Sequence, residues 1–341
     1  MVALMARSSG CRRTRVRGLL DPVCLEATPK RRMRTEELSE ALETLLRMTS
    51  VNARSYAGPR DLLAMQELTS RTWTPEARWH VGDLAWGRFQ HTGREAEWPT
   101  RLWEAGGRVL AWGWIELPGH LGLDVDPEWP GLAEEVLDWF EETVRGGDRT
   151  VVVSSAEIHL VRALEARGYR RADGGAYFAH LGRELEGLPE VRLPDGYAVR
   201  PVADGDVPGR VAAHRAAFHP SRVSEESYRA VQGAWPYRQE LDWCVVASDG
   251  SLVSYCLLWL DSARRVVEIE PVGTVPERRG RGLAGAVCLA ALRAARQAGA
   301  LQAVVAPRGD EGYLGPARLY RGLGFRDRAR SVLFHDRRDG L

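Results

Sequence analysis

The stretch Val275-Pro276-Glu277-Arg278-Arg279-Gly280-Arg281-Gly282-Leu283-Ala284 lies between a run of branched residues, Val266–Thr274, and an alanine- and leucine-rich segment, Leu283–Ala298. This pattern reads as a strand that turns through two glycines straight into a long helix. Glycines let the backbone turn sharply and point successive N–H groups into one concavity. The helix start adds N–H donors that have no intrahelical partner, and the positive end of the helix dipole. Arg278, Arg279 and Arg281 add charge. The product is a pyrophosphate cradle made mainly of backbone. It fits neither GxGxxG nor GxxxxGK[ST], which argues against dinucleotide and nucleoside-triphosphate readings. By itself the turn reads equally well as a basic surface turn before an ordinary helix.

The next αβ unit decides between these readings. It carries Gly315-Pro316-Ala317-Arg318-Leu319-Tyr320-Arg321-Gly322-Leu323-Gly324-Phe325. The two segments together resemble the GNAT N-acetyltransferase superfamily. Its first motif is matched at Thr274, Pro276, Arg279, Gly280, Gly282 and Ala284, and its second at Leu319, Tyr320, Leu323, Gly324 and Phe325. Two positions depart from the pattern: Tyr313 stands where the family often has Asn, and Pro316 where it has Ala. The resemblance covers about the last 150 residues of the 341.

The resemblance implies acetyl-CoA as acyl donor and direct attack by an amine on the thioester. Backbone groups of Val272, Gly273 and Thr274 would face the thioester and pantetheine arm, and Arg279, Gly280, Arg281, Gly282, Leu283 and Ala284 the phosphates. Tyr320 matches the family's general acid; its other reading is a packing tyrosine on a short helix. Such chemistry also needs a base for the ammonium proton. Glu268 and Glu270 lie two apart and share one face of the strand. Glu270, nearer the acyl end, is the first choice and Glu268 the second. A structural ion pair with an arginine, or an exposed edge, would explain either carboxylate equally.

Outward from this core the chain repeats itself. Strands at Arg108–Leu117 and Gly119–Val125, a helix over Leu132–Val144, a strand at Thr150–Ser154 and a helix over His159–Arg167 rhyme with later elements. Those are a hairpin at Trp243–Ala247 and Leu252–Leu260, the strand at Val266–Thr274, the helix at Leu283–Ala298, a strand at Leu301–Ala306 and a helix at Ala317–Arg321. Asp126-Pro127-Glu128 echoes Val275-Pro276-Glu277. The Pro/Gly-rich stretch Gly187–Gly196 is the natural linker. The expected fold is therefore α/β: two GNAT-type units in tandem, each a mixed, mostly antiparallel twisted sheet flanked by helices. The expected divisions are a disordered basic extension over 1–34, a degenerate unit over 35–186 and a catalytic unit over 187–341. A short helix is expected from Thr35.

The first unit lacks the cradle. It has Glu128-Trp129-Pro130-Gly131-Leu132 where the second has its arginines and glycines, and no tyrosine in its second motif. It is expected to support the site and wall its pocket. It also holds most of the tryptophans, of which Trp112 and Trp114 sit at strand spacing and read as packing residues. His214 and His219 read as surface or packing residues.

Bulk properties exclude several classes. A net charge of +1 calls for neither nucleic acid nor an anionic membrane, and no apolar run is long enough to span a bilayer. The five scattered cysteines form no CxxC, so neither a disulfide framework nor a zinc site is expected, no metal is called for, and a reducing cytoplasm is the natural setting. The arginines of the first 32 residues read as a tail, or as sequence ahead of a start at Met33. A small-molecule amine is the expected acceptor. A protein amine, or an acyl-CoA-binding regulator without turnover, are the rival readings. Oligomeric state is open.

Overall fold

The structure is a computed structural model that describes residues 50–336; the basic extension and the helix expected from Thr35 lie outside the described residues. In the first half, β1 (Asn52–Ser55), β2 (Thr100–Ala105), β3 (Arg108–Glu116) and β4 (His120–Val125) pair antiparallel, and β5 (Arg149–Ser154) joins β4 in parallel. Helices α1 (Pro59–Thr72) and α2 (Val81–Phe89) lie between β1 and β2 in sequence. Helix α3 (Leu132–Thr143) crosses from β4 to β5, and α4 (Ile158–Ala166) leads to β6 (Arg170–Arg171) and β7 (Ala179–Glu184).

The second half repeats the plan. Strands β8 (Tyr197–Pro201), β9 (Asp242–Ala247), β10 (Leu252–Asp261) and β11 (Val266–Thr274) pair antiparallel, with α5 (Val207–Ala217) and α6 (Glu225–Gln232) between β8 and β9. Helix α7 (Leu283–Gln297) crosses to β12 (Gln302–Val305), which runs parallel to β11. Helix α8 (Leu314–Gly322) and the long β13 (Arg326–Asp336) follow.

Among the described residues all thirteen strands belong to one sheet, because each half gives its last strand to the other. Strand β7 pairs with β12 of the second half, and the end of β13 pairs with β5 of the first. The apolar residues follow the exchange. Ala179, Leu181 and Leu185 lie in the core between α7 and β9–β12, whereas Phe334 is wholly buried among α3, α4 and β3–β5. Burying a phenylalanine contributes about 1.5–3 kcal/mol, so each half stabilises the other directly. Periodicity does not reveal β7, since Ala179-His180-Leu181-Gly182-Arg183-Glu184 is buried at its first four positions and shows no clean alternation.

Helix α2 is the other element without a clear apolar period; two glycines in nine residues lower its intrinsic preference. It forms because His80 and Asp83 cap it reciprocally: His80 Nδ1 accepts the Gly82 N–H, and Asp83 accepts the His80 N–H. Gly82 packs its backbone so closely on Trp259 of β10 that a Cβ there would collide with the indole. Ala85 and Trp86 join the core formed by α5, α6 and β10. A helix of the first half thus covers the sheet of the second.

Candidate active site

Strands β11 and β12 are paired only from Val266↔Gln302 to Glu268↔Val304, after which they part. On its other side β11 keeps its pairing to β10, but with a register shift: Ile269 faces Leu258 and Val272 faces Cys256. Glu270 and Pro271 therefore stand opposite the single residue Leu257, a β-bulge that bends the strand. Beyond the bulge the Val275 N–H donates to Val253 C=O at 3.0 Å. Alternation then turns the backbone groups of Gly273 toward β10 and those of Val272 and Thr274 toward the gap.

The gap opens into a cleft of about 650 Å³. Val272, Gly273, Thr274, Arg278, Arg279, Gly280, Gly282, Leu283, Ala284, Leu319 and Tyr320 line it, among others. Gly280 (φ 76°) and Gly282 (φ 77°) adopt the left-handed conformation that side chains disfavour. Ala286 N–H to Gly282 C=O is the first bond of the helix start, so the N–H groups of Leu283, Ala284 and Gly285 have no helical acceptor. Arg279 holds the turn in place through Thr274 C=O (3.2 Å) and Ala217 C=O (2.9 Å). Arg281 is exposed and does not line the cleft.

Tyr320, at the cleft's inner end, is 6% exposed and packs edge-on to Phe325 at 5.7 Å. Burial, with the neighbouring Cys288, Cys256 and Glu270, raises its phenol well above the ordinary value, so it stays protonated.

The two glutamates separate. Glu270 lines a second hollow of about 370 Å³ with Trp86, His91, Arg94, His214, Phe218 and Arg222. Phe218 borders both this hollow and the first cleft. Glu268 is 5% exposed and points instead toward His80, 3.2 Å away, beside a small void. Burial raises the carboxyls of Glu270 to about 8, Glu268 to about 7 and Asp83 to about 7. The charges of Glu268 and Asp83 push Glu270 up further, while Arg78 draws it down. Burial lowers His80 to about 4, which keeps it neutral between these acids.

His214 is a packing residue: it is buried, and its Nδ1 lies 2.7 Å from the Tyr255 hydroxyl. Gly273 has to be glycine here, because a Cβ would meet the Tyr255 hydroxyl at 2.5 Å. Behind them Asp242 holds Arg210 and the Tyr228 hydroxyl in the core. Trp86, His91, Phe218 and Arg222 are the site residues that sequence reasoning missed. The His80-x-x-Asp83 cap was the one local signal that could have placed Trp86 on a helix.

Residues 210–325 match the acetyltransferase (GNAT) family. This segment is a GNAT domain. The chain is also 30% identical over 199 residues to a mycothiol acetyltransferase of Saccharomonospora viridis, over 54% of this chain and 64% of that protein. It thus spans less than two thirds of the length of that curated relative. Among solved structures, a GCN5-related N-acetyltransferase from Sphaerobacter thermophilus superposes with a TM-score of 0.56 at 21% identity, over 84% of this chain and 95% of that one. A tandem GNAT protein from the clavulanic acid biosynthesis pathway superposes with a TM-score of 0.57 at 16% identity, over 84% and 98%. At those identities the likeness is one of fold, and it extends the tandem GNAT architecture over both halves. The GNAT domain's own cradle and splayed strands are those of the second half.

Proposed function

We propose that the chain transfers an acetyl group from acetyl-CoA to a primary amine of a small molecule, by direct attack while both substrates are bound. The observation that carries this reading is a pair of hollows with Phe218 as a common wall. A cleft edged with free N–H groups runs from Gly280–Gly285 past Thr274 and Val272 to Tyr320, and shares Phe218 with a hollow lined by Glu270. The left-handed glycines and open helix start fit a pyrophosphate. The unpaired edge at Val272 and Thr274 fits an amide-bearing pantetheine arm. Acetyl-CoA supplies the activated acyl group.

In this reading the Val272 N–H faces charge developing on the carbonyl oxygen. Glu270, ionised, takes a proton from the bound ammonium so that the neutral amine can attack; a carboxyl near 8 matches an amine better than an ordinary one does. As the new C–N bond forms and the C–S bond breaks, the nitrogen releases its second proton to solvent, and Tyr320 hands its hydroxyl proton to the departing sulfur and regains one from solvent. Glu268 acts on Glu270 through charge. The second half with β7 forms the working unit, and the rest of the first half walls it; no second turnover site is proposed. None of the helices among the described residues is long and apolar enough to cross a membrane, and we place the reaction in the cytoplasm.

Thiol release from acetyl-CoA over a panel of small amines tests the reading, with Glu270→Gln as control. A responding amine should show kcat/KM rising with pH through about 8, and the Gln variant should lose about 100-fold and that limb. Equal profiles for the two proteins would remove Glu270 as base; thiol release from none of the amines would remove the activity.

A further inference from the structure

A third hollow, of about 630 Å³, lies in the first half, between the start of α1, the end of α2 and the C-terminal turn of α3. It is lined by Tyr56, Phe89, Trp98 and Trp139, with Arg88 among them and Glu95 and Thr143 at the rim. Arg88 is 8% exposed. Its guanidinium lies 3.9 Å from the Tyr56 ring centre, 5.0 Å from that of Trp114 and 5.8 Å from that of Trp98. Its Nη1 donates to the Thr100 hydroxyl, at 3.3 Å, and the Tyr56 hydroxyl also takes a hydrogen bond from it.

No carboxylate forms an ion pair with Arg88 among the described residues, although every other guanidinium buried to this degree has one: Arg149 with Asp336 and Arg210 with Asp242. A charge taken out of water needs a counter-charge or full hydrogen bonding. Aromatic faces supply part of that to a cation and orient its plane. Two hydroxyls and the rings supply no counter-charge to the guanidinium, whose paired N–H donors match a carboxylate edge. A rigid aromatic wall around a fixed cation is the arrangement that holds a small anion by its body and its charge together.

We propose that this hollow binds a small carboxylate with an aromatic or bulky apolar body, its carboxylate against Arg88 and its body between Trp98 and Trp139. The site is separate from the acetyl-transfer site and does not depend on that reading. The neutral rings give affinity for the body, and Arg88 gives selectivity for charge.

Calorimetric titration of the full chain without acetyl-CoA tests this, with 2-naphthoate, its neutral amide 2-naphthamide, and inorganic phosphate as probes. Naphthoate should bind at one site, at least about 10-fold tighter than the amide or phosphate. Arg88→Met, which keeps the apolar stem, should make acid and amide equal. Two rim variants keep the test decisive should Arg88→Met fail to fold. Thr143→Glu places an anion at the exposed rim and should weaken naphthoate several-fold; Glu95→Gln removes one and should strengthen it about two-fold. Equal affinities for acid and amide in the unaltered protein would overturn the proposal. So would naphthoate binding unchanged in Arg88→Met or indifferent to both rim variants, phosphate binding as tightly as naphthoate, or no saturable binding.

Discussion

Both halves of the sheet splay at the same place, yet the first half fills its gap and the second leaves it open. Strand β4 is paired to β5 only at His120↔Thr150 and Leu121↔Val151, as β11 is to β12 only up to Glu268↔Val304. Counting back from Pro127 and Pro276, Leu123 corresponds to Val272 and Val125 to Thr274. In the first half the Trp79 indole N–H takes the Leu123 C=O at 2.8 Å, and His159 Nε2 lies 3.1 Å from the Val125 C=O. Glu157 lines what remains of the gap and accepts the N–H groups of Arg78 and Ser154. The turns differ in the same sense. Gly131, at φ −62°, has no left-handed twist, and the N–H groups of Leu132, Ala133 and Glu134 bond back to Trp129, Pro130 and Gly131. A duplicated frame has kept its strand geometry in both copies. What differs is whether backbone polar groups are spent internally or left for a ligand.

The largest effect should come from closing the open copy. Gly282→Val forces a branched side chain into φ 77° at the helix start. Acetyl-CoA affinity should fall about 100-fold or more, since loss of the turn removes several phosphate donors together. Gly131→Val, at an ordinary φ with nothing within 4 Å of the added Cβ, should leave acetyl-CoA binding unchanged. Calorimetry on the pair reads the contrast directly. Equal losses would mean that both turns touch the donor, and would break the comparison.

Next in size is Tyr320→Phe. The ring stays packed on Phe325 and the hydroxyl alone is removed. A general acid is worth about 10²-fold or more in kcat, with KM for acetyl-CoA nearly unchanged. The corresponding stretch of the first half, Arg162-Ala163-Leu164-Glu165, has no tyrosine. An unchanged kcat, with or without a rise in KM, would make Tyr320 a packing residue.

This difference between the copies was partly legible in the sequence. The Arg279–Ala284 turn and the Leu319–Phe325 segment are local, because glycine conformation and helix starts follow from neighbours in the chain. The pairing of Pro127-Glu128 with Pro276-Glu277 was equally readable. Two features were not. The exchange of β7 and β13 depends on which core Leu181 and Phe334 enter, and nothing local distinguishes two similar cores. The approach of α2 over β10 depends on Gly82 lying against Trp259, residues 177 apart in sequence. For that reason the sequence ranks Glu270 before Glu268 only by its place nearer the acyl end, whereas in the fold His80 and Asp83 close over Glu268 and leave Glu270 beside the hollow of Trp86 and Phe218.

A smaller effect tests whether the plugged half is inert toward the open one. Trp79→Ala frees the Leu123 C=O and empties part of the first gap. The spent N–H groups of α3 and the carboxylates of Glu128 and Glu157 stay, so acetyl-CoA stoichiometry should remain one per chain. Stability should fall by a few kcal/mol, about 3 for loss of a packed tryptophan. A second acetyl-CoA equivalent bound by this variant would show that the side-chain plug alone separates the copies.

The smallest expected effect reaches across the halves. Asp83, in the first half's α2, is one of two acids whose charge raises Glu270 in the second half's strand. Its own carboxyl stands at about 7, raised by burial and then by Glu268. Asp83→Asn keeps an oxygen for the His80 N–H and deletes the charge. The alkaline limb of kcat/KM should then move down by about half a unit, the scale of one screened neighbour. Stability gives an independent reading. A carboxyl at 7 in the folded chain and near 4 in the unfolded one binds its proton more tightly when folded. Its contribution is therefore complete below pH ~4 and is lost as pH rises through 7. The Asn variant has no such proton to lose, so its melting temperature should drop less between pH 5 and pH 8 than that of the unaltered chain. A limb that stays in place while the melting difference appears would mean that Asp83 only holds α2 closed. Movement of both would mean that the first half tunes the base of the second.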